Sequence, residues 1–326
     1  MLVYVNNLKK HFVLNRTFLG DSGCVKAVDG VSFGINRGET FALVGESGSG
    51  KTTVGRLVLG LLGPDSGEIR FDGEDILGLR RREMRGKRRK MQMIFQDPFG
   101  SLNPRMTVGG MLREILAFHN VVDRDLVEGR ILELLRLVGL EPSCKSRYPH
   151  EFSGGERQRI AVARAVSLEP EFIVADEPVS ALDVSIRGQI LNLLIKLQEK
   201  LNLAYLFIAH DLAVVRSIAH RTGVMYLGKF LEVADTEELF TNPLHPYTRA
   251  LLSSVPAADP GKKKRKPLLS GEVYDAPSGV AGCRFSSRCP RVKEECRRDA
   301  PGLVEVEENH FVACSRIQSA DSRPSE

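Results

Sequence analysis

Residues Gly45-Glu46-Ser47-Gly48-Ser49-Gly50-Lys51-Thr52 follow directly on the apolar run Thr40-Phe41-Ala42-Leu43-Val44. Their spacing is G-x-x-x-x-G-K-[ST], a phosphate-binding loop, in the strand-then-loop context its mechanism requires. Glycines let the backbone turn tightly enough to aim several N–H groups at one phosphate chain. Lys51 adds a point charge near the terminal phosphates, and the Thr52 hydroxyl can ligate Mg²⁺. A helix expected from about Thr52 through Thr53 to Leu61 points the positive end of its dipole at the same anion. The stretch predicts an α/β fold that binds a nucleoside triphosphate.

Such a loop needs a carboxylate at the end of a neighbouring buried strand to hold the magnesium. Phe172-Ile173-Val174-Ala175-Asp176-Glu177 supplies one. Asp176 emerges where open α/β sheets place their ligands, and is the expected magnesium partner. Glu177, directly after it, is then free to orient or deprotonate the attacking water. Ser153-Gly154-Gly155-Glu156 opens a helix, with Ser153 and Glu156 forming a capping box and the glycines exposing backbone N–H groups.

Further strands are expected near Leu2–Val5, Val31–Ile35, Glu68–Phe71, Met91–Phe95 and Ala204–Ala209, with Asp72-Gly73 as a turn. From Gly100 to about Ser153 the strand pattern disappears, while Leu126, Ile131, Leu134, Leu135 and Val138 fall at helical spacing. Helices are also expected near Glu156–Leu168 and Ile186–Lys200. Apolar strands alternating with helices indicate a mostly parallel sheet covered on both faces.

The chain has 326 residues, 42% of them apolar and 27% charged, which suits a globular protein of two compact units with extensions. No apolar stretch approaches the roughly 20 residues needed to cross a bilayer, and the N-terminus lacks a secretory pattern. A cytosolic chain with reduced thiols is therefore expected. The formal charge of +5 suits a mildly anionic partner or membrane surface and does not argue for nucleic acid. Residues 258–267 read as a polar, basic linker: a solvated hinge, a targeting signal or a lipid-headgroup contact. Beyond it, Cys283, Cys289, Cys296 and Cys314 cluster, which in a cytosolic chain points to metal more than to disulfides. Their spacing lacks the paired C-x-x-C knuckles of a zinc ribbon.

With these motifs in order, residues from about Val3 to Pro256 resemble the ATP-binding subunit of an ABC transporter. The resemblance implies a P-loop NTPase core of ABC type, residues 1–257, with an antiparallel β subdomain and a helical subdomain at about 100–155. Residues 268–326 would form a small Cys-containing C-terminal extension. It identifies Gly45–Thr52 as Walker A, Phe172–Glu177 as Walker B, Ser153–Glu156 as the signature motif and Asp183 as part of the D-loop. Gln96 matches the Q-loop glutamine, which reaches magnesium or the lytic water, and His210 the switch histidine at the γ-phosphate. Phe12 sits where the family carries the aromatic that stacks on adenine. Phe152 departs from the commoner leucine but remains apolar.

In this family two such subunits meet head to tail, the phosphate loop of one facing the Ser-Gly-Gly motif of the other across ATP and Mg²⁺. Phe95 to Arg105 resembles the extended Q-loop of dipeptide and oligopeptide importers, and Pro243-Leu244-His245-Pro246-Tyr247 the His-Pro-Tyr element of that subfamily. The Phe18-Leu19-Gly20 insertion resembles the second of the two ATPases such systems encode. The resemblance therefore implies a heterodimer with a sister ATPase, two membrane permeases, an extracytoplasmic solute-binding protein and a peripheral place on the cytoplasmic membrane face. Members of the subfamily hold a [4Fe–4S] cluster where the four tail cysteines lie; zinc and free thiols are the alternatives. Related importers carry nickel or other solutes. Soluble ABC-type ATPases acting on DNA or ribosomes tend to carry two cassettes or coiled-coil arms, neither evident here.

Overall fold

A computed structural model describes residues 1–13, 24–253 and 282–318. The Phe18-Leu19-Gly20 insertion, the 258–267 linker and the start of the C-terminal extension lie outside the described residues.

The strands in chain order are β1 (Val3–Val13), β2 (Cys24–Ile35), β3 (Thr40–Val44), β4 (Ser66–Phe71), β5 (Glu74–Asp75), β6 (Met91–Ile94), β7 (Phe172–Asp176), β8 (Ala204–Ala209), β9 (Arg221–Tyr226), β10 (Lys229–Asp235), β11 (Val304–Glu307) and β12 (His310–Val312). They form two sheets: an antiparallel one ordered β2-β1-β4-β5, and a larger one ordered β11-β12-β10-β9-β3-β8-β7-β6. From β9 to β6 the larger sheet is parallel; β10, β12 and β11 extend it antiparallel. Every residue of β3, β7 and β8 is buried, which is why they read as unbroken apolar runs rather than alternations. One core lies between the antiparallel sheet and the larger sheet, around Phe33, Phe41 and Phe71; the other runs from the opposite face into the helices.

Between β6 and β7 there are only helices and turns, including Val108–Phe118 and Val127–Leu137. Ile131, Leu134, Leu135 and Val138 are fully buried, and Gly139, at φ +71°, ends the second helix. Leu126 departs from its expected place: it belongs to a 3₁₀ turn before the helix and is 60% exposed. The expected helices are found at Lys51–Val58, Gly154–Val166 and Val184–Leu201.

β1 and β2 are longer than their apolar patterns, because the pairing is interrupted at the polar Asn6-Asn7, where the register shifts, and resumes from Leu8. The β9–β10 hairpin carries no strong turn dipeptide. Its Leu227-Gly228 corner has φ of +45° and +83°, as a type I′ turn demands, with leucine in an unusual role. Among the described residues, no helix is long and apolar enough to cross a membrane.

Candidate functional site

The C-terminal ends of four adjacent parallel strands bring the chemistry together: Gly45 follows β3, Gln96 lies beyond β6, Asp176 ends β7, and His210 follows β8. The phosphate loop wraps from β3 into the Lys51–Val58 helix. Gly50 caps that helix at φ +103°, and a Cβ there would stand 2.0 Å from the Ala27 carbonyl oxygen, so only glycine fits. Lys51 is 5% exposed and donates to Gly45 O at 2.7 Å, Glu46 O at 2.8 Å and Ser49 Oγ at 3.2 Å. Burial lowers the Lys51 pKa, against the opposing pull of the Glu177, Asp176 and Glu46 carboxylates. A desolvated ammonium resting on loop oxygens gains most from a multiply charged anion.

The Thr52 hydroxyl donates to Asp176 Oδ1 at 2.9 Å. Burial raises the Asp176 pKa, the Thr52 hydrogen bond opposing it and Glu177 adding to it. A hydroxyl and a buried carboxylate already side by side are hard oxygen donors that suit Mg²⁺, which also keeps substrate and water oxygens in its shell.

Glu177 is held by its backbone before its side chain. Its φ of +46° is left-handed, and its amide donates to Ile208 O at 2.9 Å, so the chain kinks as it leaves β7. Its Oε2 then lies between two side chains from the flanking strands: Gln96 Nε2 at 3.3 Å and His210 Nδ1 at 3.0 Å. The expected Gln96 and His210 thus converge on Glu177.

The remaining expected residues lie elsewhere. Ser153 caps the Gly154–Val166 helix; its amide and hydroxyl meet Glu156 Oε2 at 2.9 and 2.7 Å, completing the capping box. Gly155 is packed so closely on the Val184–Leu201 helix that a Cβ would stand 2.4 Å from Ile186 Cγ2. Asp183 is exposed at the N-cap of that helix. Ser47 and Gly48 are exposed at the crest of the phosphate loop. Phe12 lies on β1, 40% exposed, with the Lys10 ammonium 5.8 Å from its ring centroid.

The sequence reading missed a set of contacts beneath the loop. The Glu46 amide donates to the hydroxyl of fully buried Tyr247 at 3.0 Å, and its carboxylate accepts from Arg288 Nη1 at 2.8 Å. Phe285 packs among Tyr226, Tyr247 and His245, and Arg284 binds Asp29 and the Leu227 carbonyl. Tyr247 stood in the quoted His-Pro-Tyr element; nothing local to Arg288 marked it.

Cys283, Cys289, Cys296 and Cys314 line one cavity of about 90 Å³ beside His245 and Phe285. Burial pushes the Cys283 thiol up to about 11 and raises Cys289 and Cys314, so without a cation these three thiols stay protonated at neutral pH. Among the described residues, no three of these sulfurs lie within 4.8 Å of one another. Tetrahedral zinc, with Zn–S of about 2.3 Å, would need them about 3.8 Å apart.

Comparison with known proteins agrees with this geometry. Residues 28–180 match the ABC transporter family, and residues 231–296 match the oligopeptide/dipeptide transporter C-terminal region. A putative oligopeptide transport ATP-binding protein of Bacillus subtilis is 49% identical over 99% of this chain and 97% of its own length. A putative peptide import ATP-binding protein of Brucella ovis is 50% identical over 97% and 98%. Among solved structures, a dimeric ATP-binding cassette in a post-hydrolysis state with ADP and phosphate matches with a TM-score of 0.64 at 28% identity, covering 72% of this chain and 99% of that one. The protein cbiO1 from Clostridium perfringens, part of an ABC transporter complex, also matches with a TM-score of 0.64, at 26% identity, over 74% of this chain and 91% of its own. A Lys51-bearing phosphate loop, a Thr52–Asp176 pair and a Glu177 flanked by Gln96 and His210, on a chain with relatives this close, make it a member of the family of ABC transporter ATP-binding subunits.

Proposed function

We propose that this chain is the ATP-hydrolysing subunit that energises import of dipeptides or oligopeptides through a membrane ABC transporter. The single observation that carries the catalytic part is Glu177 Oε2 lying 3.3 Å from Gln96 Nε2 and 3.0 Å from His210 Nδ1 at the end of β7. Glu177 acts as the base that takes a proton from the attacking water. His210 and Gln96 position it and read the terminal phosphate. Gly45, Glu46, Ser47, Gly48, Ser49, Gly50, Lys51, Thr52 and Thr53 hold the phosphates, and Phe12 stacks on adenine. Thr52, Gln96 and Asp176 would hold magnesium, which would supply positive charge to offset that on the phosphates.

Ser153, Gly154, Gly155 and Glu156 act on a second nucleotide held by a partner, with Asp183 beside them. The reading is supported by the exposure of Ser153 at a capped helix start with glycine amides next to it. Closure over ATP and release after hydrolysis then form a ligand-biased switch. The partners are a sister ATPase, two permeases and, through them, a solute-binding protein; the chain sits peripherally on the cytoplasmic face. Residues 1–257 form the ATPase domain, and residues 268–326 an extension joined by the 258–267 linker. Peptide as cargo is supported by the match of residues 231–296 and by the names of relatives about half identical along the whole chain.

The four tail cysteines hold a [4Fe–4S] cluster; a cluster of this kind supplies one-electron chemistry or a rigid cross-link. Anaerobic purification with iron analysis and a visible spectrum checks it.

The decisive test places the chain with its sister ATPase and permeases in proteoliposomes. Peptide-stimulated phosphate release and ATP-dependent peptide uptake are expected. Stimulation by nickel and its binding protein but not by peptides would overturn the cargo, and absence of hydrolysis in the assembled complex would overturn the activity.

A further inference from the structure

Where the C-terminal strands join the large sheet, three ligand-bearing side chains meet from three elements. Glu238 comes from the Thr236–Thr241 helix, Glu307 ends β11, and His310 opens β12. Their ligand atoms all lie within 4.8 Å of one another. Such a cluster is common on protein surfaces, so its meaning rests on the histidine.

His310 is fully buried, and so is Glu232 in the middle of β10. His310 Nε2 lies 2.8 Å from Glu232 Oε1. The Glu232 carboxylate also accepts the amides of Leu244 at 2.7 Å and His245 at 2.9 Å. With Nε2 engaged by this carboxylate, Nδ1 is the ring nitrogen left for another partner. That atom is buried, has no hydrogen-bond partner, and faces Glu238 Oε1 at 3.9 Å. This distance is too long for a hydrogen bond. Asn242 Nδ2 meanwhile ties the two carboxylates together, at 2.9 Å from Glu238 Oε1 and 3.2 Å from Glu307 Oε2.

We propose that Glu238, Glu307 and His310 form a binding site for a divalent transition-series cation such as Zn²⁺ or Mn²⁺, with Glu232 orienting the histidine. One imidazole nitrogen and two carboxylate oxygens are a donor set for such ions, and a second carboxylate on the far ring nitrogen is the usual device that fixes a ligating histidine. The charges balance, two carboxylates against one dication with a neutral ring. Glu238 is 41% exposed, which gives the ion a path from solvent while His310 forms the floor. Loading would cross-link the 236–241 helix to the two last strands, stapling the C-terminal extension to the body of the ATPase. The site shares no residue with the ATP site or the four cysteines.

Manganese is the probe, because thiolates bind it poorly and its free form is counted by electron paramagnetic resonance. The nucleotide-free full chain is titrated with Mn²⁺, and thermal unfolding is followed with and without the ion. One bound ion per chain and a raised melting temperature are expected. Glu307→Gln and Glu238→Gln, both at solvent-reachable positions, should weaken binding at least tenfold and remove the thermal shift, while Asp176→Asn keeps both. Unchanged binding in Glu307→Gln and Glu238→Gln, loss of binding in Asp176→Asn alone, or no binding by the wild type at millimolar Mn²⁺ would each overturn the site. ATP binding by Glu307→Gln, unchanged from wild type, shows that a loss is not misfolding.

Discussion

Two glutamate–histidine pairs in this molecule have nearly the same geometry and opposite characters. Glu177 and His210 meet at 3.0 Å with side chains 17% and 55% exposed; Glu232 and His310 meet at 2.8 Å with both fully buried. The first pair stands at strand ends, and its histidine faces solvent. The second lies inside the sheet, its carboxylate enclosed by two backbone amides and a ring nitrogen. A hydrogen-bonded pair open to water can exchange partners at little cost, whereas breaking an enclosed one strands buried polar atoms at a cost of about 1–3 kcal/mol each. Solvation, more than residue identity, separates a pair that can work on a substrate from one that holds the fold.

The sharpest way to break this contrast is to neutralise each glutamate in turn. Glu177→Gln should leave ATP binding intact and lower turnover by up to about 10⁴-fold, the upper range for loss of a general base. Phosphate release by the complex assembled with its partner ATPase, alongside equilibrium nucleotide binding, gives both numbers. Turnover within tenfold of wild type would remove Glu177 from the base role. Glu232→Gln should do the reverse: a loss of about 1–3 kcal/mol in unfolding free energy, because two buried amides and a ring nitrogen lose a charged acceptor, with turnover per folded molecule nearly unchanged. A urea transition at the wild-type midpoint would show that the buried pair holds nothing together.

The same contrast explains what was legible in the sequence. The phosphate loop, Asp176 and Glu177 could be read because short-range spacing and an apolar strand encode them, and β3, β7 and β8 announce themselves by unbroken burial. His210 and Gln96 needed the family resemblance, since a lone residue after a strand has no periodic signal. Glu232, His310, Tyr247 and Arg288 carried no local signal for their contacts. Glu232 and His310 are 78 residues apart, and Arg288 meets Glu46 across 242 residues. Only pairing of β12 on β10 brings the first two together. The β9–β10 hairpin was hidden by a leucine in a left-handed corner.

A third histidine sharpens the comparison through pH. His245 is buried like His310, but its Nδ1 accepts the Tyr247 amide at 3.0 Å, so it is held neutral. Burial pushes its pKa down to about 4, against the pull of Glu232. The unfolded chain, with a histidine pKa near 6.5, takes up this proton first as pH falls. His245 therefore contributes full stability above pH about 6.5, loses it as pH falls towards about 4, and changes nothing further below that. The expected loss across the window is about 3 kcal/mol. Urea unfolding at pH 7 and pH 4.5 should show a steeper decline for wild type than for His245→Gln; equal declines would mean that His245 does not titrate in this way.

The smallest effect is expected where the tail touches the phosphate loop. Arg288 is 8% exposed and Glu46 22%, so this ion pair is intermediate between the two glutamate–histidine pairs. Removing the guanidinium leaves a carboxylate that water can still reach, which limits the cost to about 1 kcal/mol. Arg288→Ala should therefore raise the ATP dissociation constant by a factor of about 5, with little change in turnover at saturation. Merely loosening the tail would give the same fall in affinity with any partner at Glu46. A double-mutant cycle with Glu46→Gln separates the two: a positioning contact gives a coupling of about 0.5–1 kcal/mol in ATP binding. Additivity within about 0.3 kcal/mol would mean that the tail fastens to the domain without setting the shape of the loop. Since the same segment runs from Cys283 through Phe285 to Cys289, a positive coupling would also make the four-cysteine cavity mechanically continuous with the nucleotide.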